Sequence, residues 1–159
     1  MASACSAPQM VPPPAPQPTT RPAPPPPPIP QSPPIKDWRD APQTAGDWRY
    51  ESGTAQFGSA TSTLFALRCD RANRTISLFR TGNAPQDLPM TVSTTSETRS
   101  LLATPQGAAQ LAVTLPANDR LLDAMAFSRG RFAVEVNGLP TLYLPAWPEV
   151  ARTVEDCRR

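Results

Sequence analysis

The clearest alternation of apolar and polar positions in the chain lies at residues 64–70. Phe65, Leu67 and Cys69 fall on one side of an extended backbone, and Arg68 falls on the other. A period of two residues is typical of a strand that buries one face. The pattern therefore predicts a half-buried strand whose core-facing side ends at Cys69.

Shorter stretches rich in β-branched and aromatic residues occupy most of the chain between positions 48 and 115. Turn-forming residues separate them, and we predict a loop at 82–89 and a turn at 105–107. Six or seven short strands of this kind are typical of an antiparallel β-sandwich or a small barrel. Besides 64–70, strands are predicted at 48–50, 55–58, 75–80, 90–94, 98–103 and 110–115.

A helical spacing of apolar residues replaces the alternation after residue 117. Asn118 is of a residue type that caps helix N-termini, and Gly130 stands where helices commonly end. The pattern predicts a short helix between them, whose apolar side consists of Leu121, Leu122, Met125 and Phe127.

A hairpin and a second helix are predicted to complete the chain. Residues 132–136 alternate as a strand, the dipeptide at 137–138 (Asn-Gly) signals a type I′ turn, and residues 142–144 return. Pro148 then occupies the first position of the final helix. One face of this helix carries Trp147, Val150, Val154 and Cys157. The predicted fold is therefore mostly antiparallel β with two short helices near the C-terminus, in the α+β class.

Two cysteines point toward the predicted core. Cys69 ends the buried side of its strand, and Cys157 lies on the apolar face of the final helix. We predict a disulfide bond between them, which on the loop-entropy model contributes about 4–5 kcal/mol. Disulfides persist in the periplasm and are rare in the cytosol.

Prolines divide the chain into a leader and a domain. The chain has 23 prolines, and 15 of them precede Ile35. We predict that residues 7–36 form a disordered tether that samples polyproline II, and that residues 37–159 form one globular domain. A ligand for proline-recognition domains is the alternative interpretation of the tether.

The first residues resemble the end of a bacterial lipobox. Small residues at 2–4 (Ala-Ser-Ala) directly precede Cys5, although Ala2 replaces the usual aliphatic residue and the charged and hydrophobic parts of a signal peptide are missing. The resemblance implies that residues 1–6 are the remnant of a lipoprotein signal, that Cys5 is lipidated, and that the protein is a periplasmic lipoprotein anchored in the outer membrane. An ordinary cytosolic start is the alternative.

The composition excludes several classes of site. The chain contains no histidine, which rules out His-based acid–base and nucleophilic catalysis and most zinc and copper sites. The net charge is +2, and 14 basic residues face 13 acidic ones once Arg21 of the leader is set aside. A domain so near neutrality lacks the basic stripe of a nucleic-acid-binding protein. We expect no metal, no cofactor and no enzymatic activity.

Four residues are candidates for a surface binding site. Trp38 and Arg39 belong to an Asp-Trp-Arg triplet that recurs at 47–49, and the indole either packs on the domain or joins a binding patch. Arg129 and Arg131 flank the end of the first predicted helix. There they either compensate the helix dipole or hold an anion.

Four short motifs of the domain carry a family resemblance: Leu67-Arg68-Cys69, Phe132-Ala133-Val134, Gly138-Leu139 and Cys157. On these motifs the chain resembles uncharacterised envelope proteins of alphaproteobacteria and, to a lesser degree, the VasI-type accessory proteins of type VI secretion. The resemblance covers the domain from Trp48 onward and implies a fold and a compartment, but no active site.

Our functional hypothesis from the sequence is a membrane-tethered periplasmic binding or structural module of the cell envelope. Its partner would be another envelope protein or peptidoglycan. One alternative is an inhibitor of a periplasmic hydrolase, similar to lysozyme inhibitors. Another is a carboxylate-based enzyme acting through Asp119 and Asp123, although a helix-dipole partner and a solvated residue explain these two better.

Overall fold

The structure, a computed structural model, describes residues 10–15, 37–107 and 109–159. It divides the chain into two units, Met1–Pro33 and Pro34–Arg159.

In the first unit, residues 10–15 are exposed and have no regular secondary structure. The predicted lipidation site, Cys5, and the remainder of the predicted tether at 7–36 lie outside the described residues. Among the helices that the structure describes, none has the length and apolar character needed to cross a membrane.

The second unit is built on one antiparallel sheet, which has nine strands in the described part of the chain. Its strand order is β1-β2-β3-β4-β7-β6-β5-β8-β9, and the sheet curls into a half-barrel. The mostly antiparallel β fold predicted from the sequence is therefore confirmed. The strands are β1 (Asp47–Glu51), β2 (Thr54–Gly58), β3 (Thr63–Asp70), β4 (Thr75–Thr81), β5 (Leu88–Ser93), β6 (Thr98–Gln106), β7 (Gln110–Pro116), β8 (Arg131–Val136) and β9 (Leu142–Pro145).

The long strand β6 joins the two halves of this sheet. Residues 98–103 pair with β5, and residues 104–106 pair with β7. The two halves curl toward each other, so that Phe65 of β3 and Phe132 of β8 meet edge to face with ring centroids 6.4 Å apart. Both side chains are fully buried, and each contributes about 1.5–3 kcal/mol through the hydrophobic effect.

Two prolines lie inside strands, where the sequence predicted a loop and a turn. Pro89 pairs with Leu102 in the β5–β6 ladder, and Pro105 pairs with Leu111 in the β6–β7 ladder. Strand β8 ends at Val136, opposite the residue after Pro89, so the missing N–H of Pro89 leaves no partner there unpaired. The predicted loop at 82–89 and the predicted turn at 105–107 therefore each extend two residues into a strand.

The β8–β9 hairpin is present, but its turn is not type I′. A type I′ turn needs positive φ at both central residues, whereas only Gly138 has it, at 82°. The backbone N–H of Leu139 donates to the carbonyl of Val136 at 3.1 Å, and the chain continues irregularly until β9. The connection covers residues 137–141, as the predicted strand bounds of 132–136 and 142–144 imply.

The first helix, α1 (Arg120–Ala126), is shorter than predicted at both ends. Asp119 rather than Asn118 is the N-cap, because its carboxylate accepts from the backbone N–H of Leu121 at 2.8 Å. Phe127 is the C-cap, with φ −108° and ψ 13°, and the helix does not reach Gly130. The predicted burial of Phe127 is therefore wrong: its side chain leaves the apolar face and is 73% exposed.

The second helix, α2 (Pro148–Arg158), begins at Pro148 as predicted and packs mainly against β3 and α1. Val150, Val154 and Cys157 are buried, in agreement with the predicted apolar face. Trp147 does not belong to that face and is 40% exposed. Because it is the N-cap, its backbone is extended and does not follow the angular spacing of the helix.

Cys69 and Cys157 form the predicted pair. Their sulfur atoms lie at bonding distance, 2.08 Å, and their Cα atoms are 5.4 Å apart. The bond links β3 to the last turn of α2 and thereby holds the C-terminal helix on the sheet.

Candidate functional site

A broad surface concavity with a volume of about 920 Å³ lies against α1. Its walls come from the short 3-10 turn Trp38–Asp40, the β5–β6 connection, α1 and the connection from α1 to β8. We call it the arginine basin. Its principal side chains are Arg39, Thr95, Glu97, Arg120, Phe127 and Arg129.

The β5–β6 connection is shaped by the buried side chain of Thr94. Its hydroxyl accepts from the backbone N–H groups of Ser96 and Glu97, at 3.3 and 3.0 Å. It also donates to the carbonyl of Glu97 at 2.8 Å. Local bonds of this type hold a tight turn in one conformation, so the basin wall formed by residues 94–97 is preorganised.

Two hydrogen bonds connect this turn to the loop after α1. The backbone N–H of Thr95 donates to the hydroxyl of Ser128 at 3.1 Å, and the backbone N–H of Arg129 donates to the hydroxyl of Thr95 at 3.1 Å. Ser128 is buried and also donates to the carbonyl of Arg131. The positions of Glu97 and Arg129 are therefore coupled through their backbones.

The three arginines of the basin differ in their partners. Arg39 pairs with Asp37 at 3.2 Å, and its guanidinium lies 4.8 Å from the ring centroid of Trp38. Arg120 pairs with Glu97 at 3.1 Å, although its side chain is 84% exposed. Arg129 is exposed and has no ion pair or side-chain hydrogen bond within the residues that the structure describes.

Two aspartates of the α1 region, Asp123 in the basin wall and the N-cap Asp119, pair with arginines outside the basin. Asp123 accepts two bonds from the guanidinium of Arg158, at 2.8 and 3.0 Å, and this contact raises the pKa of Arg158. Asp119 pairs with Arg99 at 2.5 Å. Each of the two aspartates therefore has an arginine partner of its own.

The structure brings together three of the four predicted binding residues. Arg39 and Arg129 line the arginine basin, and Trp38 lies behind Arg39. Arg131 does not join them: it is half-buried, and its guanidinium donates to the carbonyl of Ala41. Arg131 therefore links β8 to the segment before β1 and has a structural role.

Three basin residues were missed at the level of sequence. Arg120 and Glu97 are separated along the chain and carry no local signal that would join them. Phe127 was assigned to the core because apolar residues at helical spacing usually are buried. The helix ends at Ala126, and Phe127, as its C-cap, leaves the apolar face.

A second groove, of about 860 Å³, surrounds the exposed side of the disulfide at Cys69. Three of its side chains, those of Tyr50, Arg152 and Asp156, contact one another. Tyr50 donates a hydrogen bond to Asp156, and Arg152 lies 4.1 Å from the Tyr50 ring centroid and 3.9 Å from Asp156. These contacts hold α2 against β1, which gives the groove a structural role.

The described residues contain no cluster of carboxylates or cysteines arranged to hold a metal ion. Comparison of the chain with protein-family models, curated proteins and solved structures found no match. The resemblance to alphaproteobacterial envelope proteins and to VasI-type proteins therefore stays a prediction.

Proposed function

We propose that this protein is a membrane-tethered binding module of the bacterial cell envelope and that the arginine basin binds a carboxylate of its ligand. The peptide part of peptidoglycan is the ligand class that we assign to it. The observation that carries the proposal is Arg129, an exposed guanidinium on a hydrogen-bonded loop, without a carboxylate partner in the described part of the chain.

Guanidinium chemistry favours a carboxylate as the bound group. The planar fork of an arginine donates two parallel hydrogen bonds to the two oxygens of a carboxylate, which adds geometric selectivity to the charge attraction. No described residue occupies the guanidinium donors of Arg129. Phe127, which is 73% exposed at the same site, offers an apolar surface for the part of the ligand that carries the carboxylate.

Two further features support the envelope as the location. A disulfide such as Cys69–Cys157 persists in an oxidising compartment. The residues before Cys5 resemble a lipobox, and the proline-rich stretch behind it would space the domain from a membrane surface.

Cosedimentation of the full-length protein with purified peptidoglycan sacculi tests the proposal. We expect Arg129→Gln to weaken binding by about tenfold or more, as arginine anchors of binding sites do. Arg71→Gln is the matched control, because Arg71 is an exposed arginine of the second groove. Equal binding by the two variants, or no binding by the unmodified protein, would refute the proposal. Stoichiometric inhibition of a muramidase without binding to sacculi would favour the inhibitor hypothesis instead.

A further inference from the structure

Among the described residues, the arginine basin contains a carboxylate oxygen without a hydrogen-bond donor, in addition to the unpaired cation of Arg129. Oε2 of Glu97 accepts from Arg120, but Oε1 is shielded from solvent and has no hydrogen-bond partner within the described residues. Buried carboxylate oxygens normally have donors, so an orphaned one at a concave surface needs an explanation. A ligand donor that takes the place of Arg120 would supply that bond, because Glu97 lines the basin.

The present partner of Glu97 is easily displaced. The side chain of Arg120 is 84% exposed, whereas that of Glu97 is 18% exposed. An ion pair with one mobile, solvated member is weak, because ordering the long side chain offsets most of the attraction. A ligand ammonium could therefore replace Arg120 at Glu97 at little cost.

The relative position of Glu97 and Arg129 is set by the fold. The turn carrying Glu97 and the loop carrying Arg129 are joined by the two hydrogen bonds through Thr95. Both residues line the same basin, with Phe127 beside them. The basin thus presents a positive group, a negative group and an aromatic surface in a fixed arrangement.

We infer that the ligand head group is zwitterionic, an amino-acid centre whose carboxylate binds Arg129 and whose ammonium binds Glu97. The aliphatic chain that bears this centre would pack on Phe127. The inference rests on the proposed function and narrows it, because the free end of a diaminopimelate side chain in a peptidoglycan stem peptide is such a centre. A site with a buried polar group selects strongly against analogues that leave the group unpaired.

Calorimetric titration of the full-length protein with three synthetic tripeptides tests this inference. The first is L-alanyl-γ-D-glutamyl-meso-diaminopimelate. The second carries an acetyl group on the side-chain amine, and the third carries an amide in place of the side-chain carboxylate. We expect each modification to weaken binding by tenfold or more, since each removes one of the two charged contacts.

Two variants that each break the ion pair between Glu97 and Arg120 provide a second test. Glu97→Gln should weaken binding of the unmodified tripeptide and abolish the discrimination against the acetylated one. Arg120→Gln breaks the same pair from the other side and should tighten binding, because it removes the competitor of the ligand ammonium. Circular dichroism of both variants separates loss of binding from loss of folding.

The outcomes distinguish failure of the zwitterion inference from failure of the proposed carboxylate binding. If the acetylated and unmodified tripeptides bind equally while the amidated one binds weakly, the zwitterion inference falls and carboxylate binding stands. If Arg129→Gln binds all three tripeptides as the unmodified protein does, both fall. Weaker binding by Arg120→Gln would also overturn the inference, since Arg120 would then be a ligand contact.

Discussion

The indole N–H of Trp48, at the start of β1, donates to the carbonyl of Pro145, the last residue of β9, at 2.8 Å. These strands are the first and last in the order of the sheet. Beside this bond, Thr44 and Tyr143 exchange two more, from Thr44 N–H to the Tyr143 carbonyl at 3.0 Å and from Tyr143 N–H to the Thr44 hydroxyl at 2.8 Å. The segment before β1 thus covers the edge of β9, which would otherwise be open to pairing with another chain.

Replacement of Trp48 by Phe should show how much the hydrogen bond from Trp48 to Pro145 contributes to the free energy of unfolding. The variant keeps an aromatic ring in the core but leaves the buried carbonyl of Pro145 without its donor, which costs about 1–3 kcal/mol. Urea denaturation measures the change. Trp147→Phe is the control, because Trp147 is partly exposed and its replacement should change stability by about 0.5 kcal/mol or less. Equal stability of Trp48→Phe and the unmodified protein would show that the bond from Trp48 to Pro145 does not stabilise the fold.

The disulfide should be present in protein isolated from the periplasm. Intact-mass spectrometry under non-reducing conditions should show Cys69 and Cys157 resistant to alkylation. Cys69→Ala should destabilise the domain by about 2–5 kcal/mol and loosen α2. Cys157→Ala should have a similar effect, and the double variant should lose little more than either single one. Two alkylatable thiols in the isolated protein would overturn the prediction.

Arg80 is a buried cation whose guanidinium serves main-chain acceptors. It is 4% exposed and donates to the carbonyls of Pro140, at 2.9 Å, and Thr81. Burial lowers the pKa of this guanidinium. Arg80→Ala leaves two carbonyls without donors and a cavity, so we expect a loss of about 2–5 kcal/mol in chemical denaturation.

Arg68 provides the comparison for Arg80. It lies on the opposite, exposed side of the sheet, 4.7 Å from the ring centroid of Phe79. Arg68→Ala should cost at most about 1 kcal/mol, the value of an exposed cation–π contact. If the two variants lost the same stability, the structural role assigned to Arg80 would be wrong.

The contact between Tyr50 and Asp156 should make stability depend on pH at both extremes. The hydrogen bond from Tyr50 holds the pKa of the Asp156 carboxyl below its usual 3.8, and the same bond raises the pKa of Tyr50 above its usual 10.0. The stabilisation that the ionised Asp156 carboxylate gives the folded state is present above pH 3.8 and is lost as the pH falls below that value. The stabilisation that the protonated Tyr50 hydroxyl gives the folded state is present below pH 10.0 and is lost as the pH rises above that value.

Melting temperatures of Tyr50→Phe across this range test the pH dependence. The variant should lose less stability than the unmodified protein on acidification below pH 3.8 and on alkalinisation above pH 10.0. Tyr143→Phe is the control, because the Tyr143 hydroxyl has no hydrogen-bond partner in the described part of the chain. Parallel curves for Tyr50→Phe and the unmodified protein would show that the contact does not form.

The proposed lipid anchor is tested by metabolic labelling. Expressed with its native upstream sequence in a bacterial host, the protein should incorporate labelled palmitate and fractionate with membranes. Cys5→Ala should abolish both, because the thiol of Cys5 is the expected attachment site. Unchanged labelling of Cys5→Ala would exclude it.

Much of the fold follows from local patterns in the sequence. Alternation at 64–70 predicts β3, Pro148 predicts the start of α2, and apolar spacing brings Cys157 to the face that meets Cys69. These predictions hold because burial of one face imposes a period of two on a strand and 3.6 on a helix. Neither period depends on which other elements cover that face.

Positions at the ends of elements were decided by more specific contacts. Phe127 and Trp147 fit the apolar periodicity of their helices, yet both are caps and point elsewhere. Periodicity carries no information about the residue at which the backbone leaves the helix, since that depends on capping bonds such as the one from Leu121 N–H to Asp119.

The candidate site depends on tertiary structure throughout. The sequence identified Arg39 and Arg129 as separate candidates, and only the order of the strands and the bonds through Thr95 place them in one basin with Glu97. The same holds for Trp48 and Pro145, which meet because the sheet curls until the side chain of Trp48 on its first strand reaches the end of its last strand. Local sequence thus determined which face of each element is buried. Which distant side chains share a surface was decided by long-range packing, on which local periodicity has no bearing.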